Sequence, residues 1–161
     1  MVRVAVLTVS TSGARGERAE DVSGATIREM AAAAGWSVAE HRLVADDRAE
    51  IAAALREWAE GDAVDLIVTT GGTGLSPTDV TPEATRDVLE KELPGMAEAM
   101  RSASLAKTPR AMLSRAVAGA RGRCLIVNLP GSPRGVRECL EAVLPVIGHA
   151  VEILQARPTD H

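Results

Sequence analysis

Two aspartates, Asp46 and Asp79, are the residues whose surroundings in the chain best suit catalytic chemistry. Asp47 stands three residues before Glu50, the spacing of a capping box, so Asp47 is predicted to cap a helix and to leave Asp46 free. Carboxylates that local structure does not use suit Mg²⁺, which binds one or two carboxylates together with phosphate oxygens. The spacing is equally compatible with an alternative, in which Asp46 itself is the cap.

Asp79 lies in a polar loop between a glycine-rich turn and a predicted helix start. The apolar residues 66–68 are typical of a strand buried on both faces, and three glycines follow within residues 71–74. Thr81-Pro82 has the composition of a helix start in which the threonine is the cap, which leaves Asp79 outside the cap. The alternative is that Asp79 only accepts a hydrogen bond from a backbone N–H group of its own loop.

The elements that position these residues alternate between strands and helices. Apolar runs predict strands over residues 2–10, 36–44, 64–70 and 124–129, with a weaker edge strand over 116–120. Helical spacing predicts helices over residues 21–34, 47–60, 81–93 and 96–106, a short one over 109–114, and a last one from Ser132-Pro133 that Pro145 kinks or splits. This order predicts one α/β domain over residues 1–161, with a mostly parallel sheet and a polar tail from about residue 156.

Polar stretches follow four of the predicted strands, at residues 10–13, 45–47, 71–79 and 128–132. The carboxyl ends of parallel strands share one edge of a sheet, so we expect these stretches to lie together. The helix that begins at Ser132-Pro133 offers an anion site there, and Arg110, Arg115 and Arg134 are candidate phosphate contacts. The glycine turn is neither a Walker A loop nor a dinucleotide fingerprint, because its spacing fits neither pattern.

The composition excludes several classes of function. The formal charge of -4 and the absence of Phe and Tyr argue against a nucleic-acid surface. The two cysteines match no zinc spacing and are expected to be buried thiols, which favours a cytoplasmic location. The three histidines are too scattered for a metal cluster and are expected at the surface. Because no nucleophile elbow occurs, we expect chemistry by positioning and metal rather than through a covalent intermediate.

Two longer motifs resemble those of a known family. TTGGTGLSPTDVTPEAT at residues 69–85 and LPGSPRGV at residues 129–136 are similar to segments of the molybdenum-cofactor biosynthesis family of MoaB and MogA. The G domains of gephyrin and of the plant protein Cnx belong to the same family. The resemblance extends from Val4 to about Leu154. It implies the three-layer α/β/α fold of MogA and a homo-oligomer, either a trimer or a hexamer.

The resemblance also implies an activity. A member of this family adenylylates molybdopterin with ATP and Mg²⁺, giving adenylyl-molybdopterin and pyrophosphate, and is thus a nucleotidyltransferase. Asp46 and Asp79 match the two functional carboxylates and are expected to hold Mg²⁺ and orient the phosphates, while Ser114 matches a serine near the pterin. The other predicted ligand-binding residues are Ser10, Ser12, Gly71, Gly72, Thr73, Gly74, Asn128, Pro130, Gly131 and Ser132.

The chain departs from the family pattern at two positions. Ala45 stands where members commonly have Pro, and Thr11 stands where many have Asp. The missing acid keeps an alternative open, in which the chain is a non-catalytic, oligomeric molybdopterin carrier of the MoaB type. A scaffold role of the gephyrin kind is less supported, because the sequence contains no linker. Proteins of the CinA type have a related fold, but their loop differs from GGTGLSPTDVTPEA.

Overall fold

The protein is described by a computed structural model that covers residues 1–16 and 21–156. Its central sheet has the strand order β2-β1-β3-β6-β5-β4. The strands β2, β1, β3 and β6 are parallel to one another, whereas β5 and β4 run antiparallel at one side. In chain order the strands are β1 Arg3–Val9, β2 Ser37–Val44, β3 Leu66–Thr70, β4 Lys91–Glu92, β5 Ala118–Arg121 and β6 Cys124–Leu129. The predicted mostly parallel sheet is confirmed.

Helices cover both faces of the sheet. They are α1 Thr11–Ala14, α2 Val22–Ala33, α3 Arg48–Glu60, α4 Thr81–Arg86, α5 Pro94–Leu105 and α6 Pro133–Gln155, with a 3₁₀ helix over Pro109–Leu113. Alternate strand residues point to opposite faces, as the pleat requires. Val68 packs in the core that α2, α5 and α6 cover, whereas its neighbour Ile67 packs in the core that α3 and α4 cover. The three-layer architecture is therefore confirmed.

The register of the parallel strands brings the polar loops to one edge. Thr70 on β3 pairs with Thr8 on β1 and with Leu129 on β6, and Val9 on β1 pairs with Val44 on β2. These residues lie at the carboxyl ends of their strands, so the chain leaves all four strands at the same level. The expectation that the four polar stretches share an edge is confirmed.

Helix α4 is shorter than the helix predicted over residues 81–93. It ends at Arg86. The N–H groups of residues 87–89 still bond back to carbonyls of α4, and the backbone from Glu90 onward finds partners in the sheet. Glu90 donates its N–H to the carbonyl of Ala120, and Leu93 donates to Ala118. These bonds frame the short strand β4, which the sequence pattern missed, and they make β4 rather than β5 the edge of the sheet.

Further local features differ from the sequence pattern. The polar stretch after β1, for which no helix was predicted, is a short helix, α1, capped by Ser10, whose Oγ accepts a hydrogen bond from Gly13 N at 3.1 Å. Pro145 was predicted to kink or split the last helix, and the split does not occur, since α6 continues through Pro145 as one helix. Thr81 does not cap α4, because its hydroxyl donates instead to the carbonyl of Gly71 at 3.0 Å, and Val80 precedes the helix without a side-chain cap.

Caps predicted at two other helices are confirmed. Asp47 accepts from Glu50 N at 2.9 Å at the start of α3, and Ser132 accepts from Gly135 N at 3.1 Å at the start of α6. Each bond satisfies a backbone donor that the first turn of a helix leaves unpaired. Across residues 1–16 and 21–156, no helix has both the length and the apolar character needed to cross a membrane. The predicted polar tail falls beyond the described residues from position 157 onward.

Candidate functional site

A cavity of about 280 Å³, which we call the acidic cavity, lies at the carboxyl edge of the parallel strands. The carboxylates of Asp21, Asp46 and Asp79 line it, and none of its described lining residues is Lys or Arg. Four further predicted residues also line it: Ser10, Gly71, Gly72 and Gly131. Within the described residues, no group of three or more His, Cys, Asp or Glu side chains is arranged to hold a metal ion by itself.

Asp46 is held in the acidic cavity through one of its two oxygens. Its Oδ2 accepts hydrogen bonds from the hydroxyl of Thr11 at 2.8 Å and from the backbone N–H of Thr11 at 3.1 Å. Its Oδ1 makes no hydrogen bond to a described residue. Asp47 caps α3, as predicted, so the Asp46 side chain is not used as a helix cap. One oxygen orients this carboxylate and the other is available to a ligand.

Asp79, like Asp46, is held by hydrogen bonding through one of its two carboxylate oxygens. Its Oδ2 accepts from Ser76 N at 3.1 Å, and the backbone N–H of Asp79 donates to the Ser76 carbonyl at 2.9 Å. The alternative stated above, in which Asp79 satisfies an N–H group of its own loop, therefore holds for one oxygen. The other oxygen makes no hydrogen bond to a described residue, so Asp79 can still bind a ligand.

The glycine turn between β3 and α4 needs glycine at two positions. Gly71 and Gly72 have φ values of 98° and 69°, in the region that favours glycine. A side chain on Gly71 would meet the carbonyl oxygen of Val9, and one on Gly72 would meet the Thr81 hydroxyl and lie 3.4 Å from Asp46 Oδ1. The turn therefore runs close beside the Asp46 carboxylate.

Asp21, the first residue of the helix predicted over residues 21–34, is the third acid of this cavity. Its Oδ1 caps α2 by accepting from Gly24 N at 2.9 Å. Its Oδ2 accepts from the Thr8 hydroxyl at 2.6 Å and lies 2.9 Å from His41 Nε2. Burial opposes ionisation of Asp21, but these hydrogen bonds outweigh it, so its pKa lies below the usual value. His41 was expected at the surface, and it is instead half-buried against Asp21.

A larger cavity of about 470 Å³, which we call the basic cavity, opens between α5, the 3₁₀ helix and the start of α6. Its cationic lining residues are Arg101, Lys107, Arg110 and Arg134, against the single acid Glu138. Cavities of this volume accommodate small-molecule ligands, and this charge balance favours an anionic one. It also contains six predicted residues: Thr73, Gly74, Ser114, Asn128, Pro130 and Ser132.

Two backbone segments form the partition between the cavities. Gly71 and Gly72 face the acidic cavity while Thr73 and Gly74 face the basic one. In the same way, Gly131 lies on the acidic side and its two neighbours lie on the basic side. The segments are bonded together, because Thr70 Oγ1 donates to the Pro130 carbonyl at 2.7 Å and Gly71 N donates to the Leu129 carbonyl at 3.2 Å.

Comparison with known proteins decides the family. Residues 5–149 match the molybdenum-cofactor biosynthesis family whose domain is described as a probable molybdopterin binding domain. The chain belongs to this family. A molybdopterin adenylyltransferase of Helicobacter pylori strain J99 is 43% identical over 155 residues, which are 95% of this chain and 88% of that protein.

The chain also resembles a solved structure of similar length and one part of a much longer protein. A crystal structure of the molybdopterin biosynthesis enzyme MoaB from Thermus thermophilus has a TM-score of 0.91 at 55% identity and covers 98% of this chain and 99% of that one. Gephyrin of Dictyostelium discoideum is 43% identical over 118 residues, 73% of this chain but 16% of its own length. The resemblance proposed from the motifs is confirmed.

Two of the residues predicted to bind ligand, Asn128 and Ser12, have side chains in polar contact with other residues of the protein. The Asn128 amide is buried, donates to the hydroxyls of Thr69 and Thr85 at 3.0 Å each and accepts from Val117 N at 3.2 Å. Ser12 lines neither cavity, and its hydroxyl lies 3.3 Å from that of Ser10. Their ligand-binding roles stay predictions, as do those of the other predicted site residues.

The three candidate arginines differ in their surroundings. Arg110 and Arg134 line the basic cavity, and Arg134 pairs with Glu138 at 3.4 Å. Arg115 does not line it, since its guanidinium bonds to the loop that carries Asp79. Sequence reasoning missed Lys107, Arg101 and Cys139, which reach the basic cavity only because α5 packs beside α6. Burial raises the pKa of the Cys139 thiol, which favours the protonated thiol over the reactive thiolate.

Proposed function

We propose that this protein is a molybdopterin adenylyltransferase that uses ATP and Mg²⁺. Membership of the family and the name of the Helicobacter pylori relative support the substrate and the reaction class. The observation that carries the proposal is the shared wall of the two cavities, since a cavity lined by cationic residues lies directly beside one lined by aspartates. A reaction that joins two phosphate-bearing molecules needs such neighbouring sites.

The basic cavity is the proposed site of molybdopterin. Lys107 and Arg110 make no side-chain ion pair with a described residue, so both are available to the terminal phosphate of the pterin. The N-terminus of the long helix α6, with Ser132 as its cap, adds backbone N–H groups and the positive end of the helix dipole. Thr73 and Ser114 lie on the same cavity wall and supply hydroxyl groups.

The acidic cavity is the proposed site of Mg²⁺ and of the ATP phosphates. Asp46 and Asp79 each keep one oxygen free of bonds to described residues, which fits an ion that takes one or two carboxylates and completes its shell with phosphate oxygens. Bound there, Mg²⁺ would neutralise phosphate charge and so favour attack by another anion. Thr11 and Ser76 orient the two carboxylates through their remaining oxygens.

The proposed reaction is one displacement at phosphorus. A terminal phosphate oxygen of molybdopterin attacks the α-phosphorus of ATP, the bond from that phosphorus to the bridging oxygen breaks, and pyrophosphate leaves with the bonding electrons. No side chain needs to become a nucleophile. The proposed contribution of the chain is alignment of the two reactants at the partition between the cavities.

The test mixes the purified chain with molybdopterin, ATP and Mg²⁺ and measures pyrophosphate release. Asp46→Asn and Asp79→Asn keep the shape of each side chain and remove its charge, so each should lower kcat by about 100-fold. Asp62→Asn is the matched control, because this exposed carboxylate lies far from the acidic cavity in the fold, at its opposite end. A wild-type chain that releases no pyrophosphate, or aspartate variants that behave like the control, would contradict the proposal.

A second candidate is a carrier that binds molybdopterin without turnover. The observation that favours it is Thr11, which stands where many family members have an acid and which occupies Asp46 Oδ2 with two hydrogen bonds. Calorimetry separates the two functions. Tight binding of molybdopterin without ATP consumption would select the carrier, whereas stabilisation of the fold by ATP in the presence of Mg²⁺ would select the transferase.

Assembly into a trimer or hexamer is also proposed. Two large apolar side chains beside the basic cavity, Met112 and Leu113, are 67% and 54% exposed. By contrast, Met100 is buried in the core and Met96 packs against it. Exposed side chains of this size favour contact with another protein surface. Light scattering measures the mass directly, and a monomer would contradict the proposal. A cytoplasmic location stays a prediction.

A further inference from the structure

Arg115 ties the loop over residues 74–79 to the rest of the molecule. Its Nε donates to the carbonyl of Gly74 at 2.8 Å, and its Nη2 donates to the carbonyl of Asp79 at 2.9 Å. One guanidinium thus holds both ends of the loop. The backbone N–H of Arg115 also donates to the carbonyl of Thr73 at 2.9 Å, immediately before the loop.

A carboxylate on α4 fixes the guanidinium in turn. Glu83 accepts from Arg115 Nη1 at 2.6 Å and from Nη2 at 3.3 Å, a bidentate pair whose side chains are 33% and 32% exposed. The hydrogen bonds from Arg115 hold the pKa of Glu83 below its usual value. Bidentate pairs of this kind fix geometry as well as charge. Arg115 is therefore anchored to a helix while it holds the loop.

The loop has few other restraints. Inside it, Ser76 N donates to the Asp79 carboxylate, Asp79 N donates to the Ser76 carbonyl, and the hydroxyls of Ser76 and Thr78 lie 3.1 Å apart. Within the described residues, Arg115 is the one side chain from outside the loop that hydrogen-bonds to it. Leu75 at the tip of the loop is 66% exposed and adds little packing. The position of Asp79 thus depends on Arg115.

The same residue connects the two cavities. Arg115 directly follows Ser114, which lines the basic cavity, and it holds the backbone of Asp79, which lines the acidic one. Four hydrogen bonds from its guanidinium go to protein atoms, so little is left for a phosphate. The geometry argues against the phosphate contact that the sequence suggested.

We propose that Arg115 is a positioning residue, which places the Asp79 carboxylate in the acidic cavity by holding both ends of its loop. The part of this inference that concerns turnover depends on the proposed transferase function. The part that concerns the loop does not, and it can be measured in the protein without any ligand.

The experiment compares Arg115→Lys and Arg115→Ala with Arg48→Ala. Arg48 also forms a bidentate pair, with Asp87 at 2.7 and 2.8 Å, but it touches neither cavity. Hydrogen exchange reports the order of the loop through the amides of Ser76 and Asp79. Both Arg115 variants should exchange faster at these amides and should lose kcat by about 100-fold, with little change in the KM for either substrate. Arg115→Lys should not preserve the order of the loop or the activity, because lysine lacks the planar guanidinium that reaches both carbonyls.

Other outcomes overturn the inference. If lysine restores activity, or if the KM for ATP or molybdopterin rises while kcat is unchanged, Arg115 contacts substrate as a charge. If loop exchange in the Arg115 variants equals that of Arg48→Ala, the loop does not depend on Arg115. Should Arg115→Ala fail to fold, Glu83→Gln releases the guanidinium from α4 and should give the same pattern more weakly. A wild-type chain without activity contradicts the proposed function, and the exchange rates then decide the role of Arg115 in holding the loop.

Discussion

Thr11 and Asp46 hydrogen-bond to each other in both directions across 35 residues of sequence. The Thr11 hydroxyl donates to Asp46 Oδ2 at 2.8 Å and accepts from Asp46 N at 3.0 Å, and the Thr11 N–H adds a third bond at 3.1 Å. These three hydrogen bonds connect the first turn of α1 to the segment that follows β2. The Asp46 carboxylate consequently has one orientation before any ligand binds.

Thr11→Val removes the hydroxyl and keeps the shape of the side chain. It leaves Asp46 N without its acceptor, so we expect the free energy of unfolding to fall by about 1 to 2 kcal/mol. Turnover should fall by about tenfold, because a looser carboxylate is misaligned more often. Urea unfolding and pyrophosphate release measure the two effects.

The control for this change is Thr26→Val. The Thr26 hydroxyl donates to the Val22 carbonyl within α2 and lines neither cavity, so turnover should not change. Higher activity or tighter Mg²⁺ binding in Thr11→Val would contradict the expectation. It would indicate that Thr11 competes with the metal for Asp46, as the carrier alternative requires.

Gly72→Ala tests the glycine turn. The φ of 69° and the contact with the Thr81 hydroxyl should together cost about 1 to 3 kcal/mol of stability. Activity should fall as well, since the turn lies beside Asp46 Oδ1. Gly148→Ala is the matched control, because Gly148 lies inside α6 with nothing near its missing side chain, and alanine there should add about 0.5 to 1 kcal/mol. Equal melting temperatures for the two variants would count against this account of the turn.

The depressed pKa of Asp21 predicts a stability change in acid. Because the folded-state pKa lies below the unfolded value of 3.8, the ionised group stabilises the fold above that value, and its contribution disappears as pH falls through the folded pKa. Asp21→Asn keeps the cap and removes the charge. We expect this variant to be about 1 to 2 kcal/mol less stable at pH 7, with the difference vanishing in acid.

Urea unfolding from neutral pH down into the acid range below the Asp21 pKa measures this difference. Asp62→Asn is the control, because the Asp62 side chain makes no hydrogen bond to a described residue and should change stability little at any pH. A deficit in Asp21→Asn that stays constant to the lowest pH would show that charge at Asp21 is not the cause.

The free cations of the basic cavity give a kinetic prediction. Lys107→Ala and Arg110→Ala should raise the KM for molybdopterin by about tenfold and leave kcat nearly unchanged, because a charge that holds the pterin phosphate throughout the reaction contributes uniform binding. Salt should weaken wild-type binding more than binding by these variants. Arg28→Ala, an exposed arginine of α2, is the control. A rise in the KM for ATP alone would place ATP in this cavity instead.

Local patterns were enough to predict most of the fold. Runs such as residues 66–70 have no charged break and form a buried strand. Short-range motifs indicated the caps at Asp47 and Ser132, although the spacing left Asp46 as an alternative to Asp47. The parallel topology then brings Asp46 and Asp79 to one cavity. The metal-binding role assigned to these two aspartates stays a prediction, because geometry shows their place and not their ligand.

Contacts between distant segments were not predictable. Thr81 leaves its expected cap position because a carbonyl ten residues earlier is the better partner in the folded turn. The short strand β4 depends on the backbone of β5, some thirty residues later. In the sequence, nothing distinguishes Arg115 from an arginine that binds phosphate. Only the folded structure shows that its N–H groups already donate to the carbonyls of Gly74 and Asp79. Each case depends on which groups meet in space, which periodicity does not encode.

The wall between the two cavities has a consequence for ligand choice. A side chain on Gly131 would lie 3.5 Å from Gly71 Cα, so the two main chains of the wall lie in contact, and both continue from hydrogen-bonded neighbours in the centre of the sheet. Separating these two chains would break the hydrogen bonds from Thr70 to Pro130 and from Gly71 to Leu129. Under the proposed function, only a pair of reactants that brings its phosphates together at this wall would react, so the choice of ligand would depend on how far each molecule reaches from its own cavity.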